Sequence, residues 1–456
     1  MFFYNGYLPD WFLIEVLSRL PLKCVFRYKC VSKRWRFLIS STSFANLYVS
    51  NAPLLTPWTI LGNALCVKSD DSLLVQSFLP GVFTDNKLHS KFSVVKFPCV
   101  VSCEGGERCS IVGVSDGLVL YCRGASGEES DYYVSNAITG HCVDLPRTST
   151  CFRYVSTGFL MESEGGSLMS YRVVRLYCPF GESYVLKFEV FSSETGCWRS
   201  FVVHMDLAIE VVWLRRPVAL NGKLHWIDRR HGILVFDPFD DSNHCRVIGL
   251  PADIDKQCID ARNDGSPVLF DVHQGRLRYA EVSVKTVYPF GFSGISVWVL
   301  DDYDSSRWTL QHRVKIREIS FDDILISKAL NGTILTPIAF HPLDANIFYL
   351  GFGDTVVSYN MKTLKLDALV NPADVRGTLQ SSGRDRFIET PCWSSAFLFT
   401  LPPWPISLPI KEETVANESS SWKAGRTGDR SGAQPGGGRG HLYALPSRPE
   451  AVFGHQ

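Results

Sequence analysis

Five times between Tyr132 and Leu369 the chain repeats one phrase: a run of Val, Ile, Phe and Tyr, a turn rich in Asn, Asp or Ser, and a second run. The copies read YYVSNAITGHCVDLP, FEVFSSETGCWRSF, LVFDPFDDSNHCRVIGLP, VWVLDDYDSSRWTL and VVSYNMKTLKLDAL. With Thr139, Thr195, Asp241, Ser305 and Lys362 as turn markers, successive copies lie 56, 46, 64 and 57 residues apart. Short β-rich runs bounded by turn residues are hairpins. Hairpins recurring every 40–50 residues or so point to the small antiparallel sheets of a propeller. The uneven gaps leave room for loop insertions, or for a sandwich of another kind. Runs of the same texture, such as SLLVQSF (72–78), GLVLYCR (117–123) and GILVFDP (232–238), extend the all-β reading back to about residue 55.

The first forty residues differ in kind. LPDWFLIEVLSRLPLKCVFRYKCVSKRWRFLIS, from Leu8 to Ser40, predicts three short helices. Pro9 and Asp10 open the first, with Asp10 able to cap it, and Pro21 ends it and can begin the second. Ser32 is placed to cap a third helix carrying Trp35, Leu38 and Ile39. At 100° per residue Phe12, Leu13, Ile14, Val16, Leu17 and Leu20 span an arc of roughly 200°, twice the stripe of about 100° that one core requires. Glu15, Ser18 and Arg19 are left on the polar side. So wide an arc is best explained by burial on two sides, against sister helices and against a partner or the rest of the chain.

Charge adds a direction. Residues 1–50 carry seven Lys or Arg against Asp10 and Glu15, a net +5, whereas the whole chain is neutral. A basic module suits an acidic partner by steering and complementarity. Nucleic acid is the poorer match, because these cations sit among apolar helices and no nucleic-acid motif accompanies them.

The spacing LP…LIEVLSRLP.K.V.R.KCVSKRW..LIS resembles the F-box, especially the plant form with CVSK-x-W. Val25 stands where Leu is commoner. The words SDGLVLYC, YVSNAITG, SSETGCW, ALNGKLHWID, ILVFDPF, VWVLDDYDSSRW, AFHPLDANIFYL and FTLPPWPISLP resemble the F-box-associated interaction domain of plant F-box proteins, which looks kelch-like. Together these resemblances imply an α+β multidomain chain: a three-helix F-box over 1–48, an all-β, propeller-like (kelch-type) substrate-recruiting domain over 49–408, and a disordered tail over 409–456. They imply the substrate-recognition subunit of a Skp-cullin-F-box ubiquitin ligase, non-catalytic, in the cytoplasm or nucleus. The helices would bind a Skp-type adaptor, and through it cullin and RING subunits, by Leu8, Pro9, Ile14, Leu17, Leu20, Pro21, Val25, Cys30, Val31 and Trp35. The β domain would recruit a target protein whose identity the sequence does not carry. The alternatives are an F-box scaffold acting without degradation, or a propeller enzyme with a helical extension.

Other chemistry finds little support. Fourteen cysteines are scattered without a CxxC pair; Cys99, Cys103 and Cys109 form the tightest group, so free thiols are expected rather than a zinc site. Asp301, Asp302 and Asp304 resemble the start of a calcium loop, but the central Gly is absent and Arg313 stands at the twelfth position counted from Asp302. His225 and His231 lack a third ligand at metal spacing. There is no Walker loop, GxSxG or GxGxxG, and no cofactor is expected. Asn331-Gly fits a glycosylation sequon but reads better as a hairpin turn. Trp198, Trp226, Trp298, Trp308 and Trp393 are read as core. The uncharged stretch Cys392–Ile410 holds four prolines, which argue against a membrane helix, and the start lacks a signal-peptide pattern. From Lys411 the chain is rich in Gly, Ser, Arg and Pro and should be disordered.

Overall fold

The computed structural model describes residues 8–51 apart from Pro21, strands between 58 and 98, most of 109–254, most of 268–321, most of 335–368, residues 396–400 and Leu408. The segment expected to be a disordered tail, Trp393, Asn331, and the thiols of Cys99 and Cys103 lie outside these residues.

Four helices, not three, form the N-terminal unit: α1 Asp10–Leu17, α2 Leu22–Tyr28, α3 Lys33–Ile39 and α4 Thr42–Asn51. The N-cap of α1 is Pro9, and no side chain caps it. Asp10 sits inside the first turn and pairs instead with Arg34 of α3, whose Nε donates to its carboxylate at 2.8 Å. Ser32 caps α3 as its position predicts, accepting from the Trp35 amide at 3.1 Å. The unanticipated α4 follows Ser41, whose hydroxyl accepts from the Phe44 amide at 3.2 Å. Phe44 and Tyr48, one turn apart, then join Leu13, Leu17, Val25, Leu38 and Ile39 in one core. The Tyr48 hydroxyl donates to the Leu20 carbonyl at 2.9 Å. Ser18 is buried rather than on the polar side, held by Asn51 Nδ2 at 3.0 Å.

Beyond the helices, the described residues form six sheets of four or five strands and one two-stranded hairpin. In five of the six the first strand in sequence, or in blade six the first antiparallel one, is innermost. Blade two begins with Cys109–Ser115, blade three with Val155–Glu164, blade four with Val218–Leu220, blade five with Val268–His273 and blade six with Thr336–Phe340. Blade one is built differently, because its inner strand Phe397–Thr400 comes from far down the chain and pairs antiparallel with Trp58–Leu61. Each inner strand neighbours the next, and those of blades six and two both touch Phe397–Thr400, which closes the ring.

The cores lie between blades. Leu118, Leu120 and Val134 of blade two meet Phe159, Tyr171 and Phe191 of blade three, and Phe188 stacks on Phe236 across blades three and four at 4.6 Å. The approach is close: a Cβ on Gly113 would lie 2.5 Å from Phe159 Cβ, and one on Gly158 would lie 2.5 Å from a Leu224 methyl. The first substitution forces two blades apart, whereas the second is met by a shift of the Leu224 side chain.

The repeated turn phrase marks the outermost hairpin of blades two to six, between third and fourth strands. In two copies its Trp clasps the preceding blade. Trp198 Nε1 donates to the Pro146 carbonyl at 2.7 Å, and Trp308 Nε1 to the Gly249 carbonyl at 2.7 Å. Trp308→Phe removes that donor and is expected to destabilise by about 1–2 kcal/mol. Hydrogen exchange should show faster opening of strand Cys245–Gly249 in this variant than in the parent, with blade two unaffected.

Candidate functional site

The wide apolar arc of α1 divides in two. Leu13 and Leu17 are buried, Ile14 and Leu20 pack against the same core half-buried, and Phe12 and Val16 face outward. Leu8 and, most of all, Trp11 extend the exposed half, Trp11 being 70% exposed and edge-on to Phe12 at 5.8 Å. Arg34 fastens the start of α3 to this strip: one nitrogen donates to the Leu8 carbonyl at 2.6 Å while another holds Asp10. Phe37 follows Arg34 by three residues, hence on the same side of α3, and is 77% exposed. Leaving such rings in water costs about 1.5–3 kcal/mol each relative to burial. Clustered exposure of this kind marks an interaction surface.

The residues expected to contact an adaptor are therefore of three sorts. Leu8, Pro9, Cys30 and Val31 are exposed. Ile14, Leu20 and Trp35 are half-buried against the helical core. Leu17 at 1% and Val25 at 0% exposure are interior, so they act by holding the helices and not by touching a partner. Pro21 lies outside the described residues. Trp11 and Phe37 are exposed rings outside that expected set, because neither falls on the core-facing period of its helix; Trp11 extends the apolar strip of α1, and Phe37 follows the polar Lys33 and Arg34 on α3.

In the ring, a cavity of about 380 Å³ runs along the inner strands. The turns Asp116–Gly117 and Asn221–Gly222, each with two positive φ values, line it, as two-residue hairpins demand. Arg216 and Asp271 pair inside it, and the Arg216 guanidinium lies 5.5 Å from the Phe397 ring centre. Burial raises the Asp116 carboxyl above its ordinary value.

The histidines and Asp302 singled out by sequence serve the fold. His225 is fully buried, with Nδ1 3.0 Å from the Val218 carbonyl and Nε2 2.8 Å from the Tyr303 hydroxyl. Burial pushes its pKa down to about 4. His231 turns to Asp228, not to His225. Asp302 ties its own turn, accepting from the Ser305 hydroxyl at 2.7 Å and the Asp304 amide at 3.1 Å. Burial pushes the thiols of Cys178 and Cys245 up to about 12. No group of three metal-ligating side chains occurs among the described residues, and none of their helices is long and apolar enough to cross a membrane. Trp226 and Trp298 are core, at 1% and 3% exposure.

Comparison with known proteins gives two family matches. Residues 8–46 match the F-box domain, and residues 89–395 match the family described as F-box protein At3g26010-like, beta-propeller. Among curated proteins, the F-box/kelch-repeat protein At1g15680 of Arabidopsis thaliana is 25% identical over 88% of this chain and 94% of its own length. The F-box protein At3g28330 of the same plant is 26% identical over 88% and 95%. Among solved structures, TolB from Acinetobacter baumannii is 10% identical over 67% of this chain and 62% of its own, with a TM-score of 0.33.

Proposed function

We propose, on the premise that the chain belongs to the family of F-box proteins with the At3g26010-like β-propeller, that it is the substrate-recognition subunit of a Skp-cullin-F-box ubiquitin ligase. The observation that carries this reading is the exposed apolar strip on α1 and α3, within the residues that match the F-box. Leu8, Pro9, Cys30 and Val31, with Trp11, Phe12 and Phe37, form the contact surface for a Skp-type adaptor. Ile14, Leu17, Leu20, Val25 and Trp35 hold the helices that present it. An interface of ordinary size buries on the order of 1,600 Å² in total, and the cations around the strip favour an acidic partner.

The ring recruits the target. The mechanism needs no chemistry from this chain: two binding surfaces on one molecule raise the local concentration of the target's lysines near the conjugating enzyme carried by the cullin and RING subunits. The test is co-purification of the full chain with a Skp-type adaptor, beside Leu8→Ala/Pro9→Ala. The parent should hold the adaptor and the variant should lose most of it. A parent chain that retains no adaptor overturns the reading. Turnover of proteins bound to the ring should slow when cullin activity is blocked, which separates a ligase subunit from a scaffold.

A further inference from the structure

Blade five carries a second cavity, of about 260 Å³, on the sheet face turned toward blade six. Its floor follows from period-two alternation along neighbouring strands. Arg276 and Arg278 lie on one face of the second strand, Arg276–Lys285; Val299 and Asp301 stand beside them on Gly291–Asp302. Thr309 and Gln311 complete the row on Arg307–Lys315, and His273 of the inner strand forms the remaining wall.

The charges in this groove do not balance. Arg276 pairs with Asp301, which also accepts from the Thr309 hydroxyl. Arg278 is 5% exposed, and its hydrogen bond goes to a neutral acceptor, the Ala345 carbonyl of blade six, at 2.9 Å. Its guanidinium sits 5.3 Å from the Phe340 ring centre, and no carboxylate among the described residues pairs with it. A guanidinium buried without a counter-ion is costly, and an incoming anion removes that cost. Burial and the neighbouring Arg276 both push the Arg278 pKa below its ordinary value. His273 is 4% exposed, and its Nε2 is buried without a hydrogen-bond partner while the residue lines the same groove. The other ring nitrogen bonds the His341 backbone, so Nε2 donates toward the groove only when the ring is protonated. The cavity between the inner strands offers no such imbalance, since Arg216 is matched by Asp271.

We propose that this groove binds an anionic group, a carboxylate or phosphate carried by a side chain of the recruited protein, between the Arg276 and Arg278 guanidiniums. The inference rests on the reading of the ring as the target-binding part and gives that target its chemistry: an acidic or phosphorylated segment. Asp301 occupies Arg276 while the groove is empty, and the incoming anion displaces it.

The test uses the full chain and three capped tripeptides, Gly-Ser-Gly, Gly-Glu-Gly and Gly-phosphoserine-Gly, titrated by calorimetry at low and moderate salt. Both anionic peptides should bind and weaken with salt, and the serine peptide should give no heat. Arg276→Gln should weaken binding roughly tenfold, as loss of one charge-assisted contact does. Asp301→Asn should tighten it several-fold, because the competing carboxylate is gone. Arg278→Gln removes binding, and its melting curve shows whether the ring survives the change. A serine peptide that binds as well as the anionic ones overturns the proposal. So does unchanged affinity in both Arg276→Gln and Asp301→Asn, which would put the anions elsewhere. A phosphoserine-only response identifies phosphate as the ligand, and a response to both peptides identifies any carboxylate or phosphate. No adaptor is present, so failure here is distinct from failure to co-purify with one.

Discussion

Trp11→Ala combined with Phe37→Ala is expected to lower adaptor affinity by on the order of 100-fold or more, with no fall in thermal stability. Exposed aromatics at the centre of an interface commonly contribute 2 kcal/mol or more each, and every 1.4 kcal/mol or so is tenfold in affinity. Both rings are more than two-thirds exposed in the free chain, so truncating them removes no core packing. Leu17→Ala provides the contrast. It should cost about 2–5 kcal/mol of stability and weaken adaptor binding only through loss of the helices. Affinity measured by surface plasmon resonance, alongside far-ultraviolet melting, separates the two behaviours. An unchanged affinity in the double variant would move the contact surface off α1 and α3.

The second large effect concerns the ring. Glu189→Ala should destabilise it by about 3–5 kcal/mol, the usual consequence of stripping one partner from a buried ion pair. Arg175 and Glu189 face each other across the second and third strands of blade three, at 2% and 0% side-chain exposure. Thr150 completes the arrangement, its hydroxyl donating to Glu189 and its carbonyl accepting from Arg175 at 3.3 Å. Arg175 also lies 5.6 Å from the Tyr132 ring centre in blade two. Glu189→Ala leaves that guanidinium charged with no carboxylate opposite it. Replacing both residues by apolar ones, Arg175→Met with Glu189→Leu, should recover most of the loss, because the pair's attraction is largely offset by its desolvation. Urea unfolding followed by tryptophan fluorescence measures both. A loss under 1 kcal/mol in Glu189→Ala would mean that Arg175 reaches water or another acceptor.

What could be read from the sequence was whatever the chain encodes locally. The outer hairpins of five blades were legible because strand, turn and strand are contiguous, as in VWVLDDYDSSRW. Blade one offered no such phrase, and its inner strand lies more than 300 residues from the strand it pairs with, so neither a sixth sheet nor the closure could be counted. Helix α4 was missed although Ser41 and the Phe44–Tyr48 spacing announce it, because the apolar density of α1 to α3 drew the boundary at Ser40. The arc on α1 was legible as too wide; which half of it would face outward depended on where α4 packs. Arg276 and Arg278 show their common face in the alternation RLRY, yet that Arg278 lacks a carboxylate partner is a property of the neighbouring blade.

The closing strand has a consequence for how the protein comes into being. Residues 8–51 leave the ribosome before the ring and contain the whole of the helical core, so they can fold while the ring is still being made. The ring has no inner strand for its first blade until Phe397–Thr400 emerges, roughly 350 residues later. At 5–20 residues per second or so, that interval is on the order of 20–70 s. During it the nascent chain can carry a folded helical end attached to an open row of blades. An interruption of synthesis before residue 400 thus leaves a chain whose helical core is complete and whose ring lacks its closing strand.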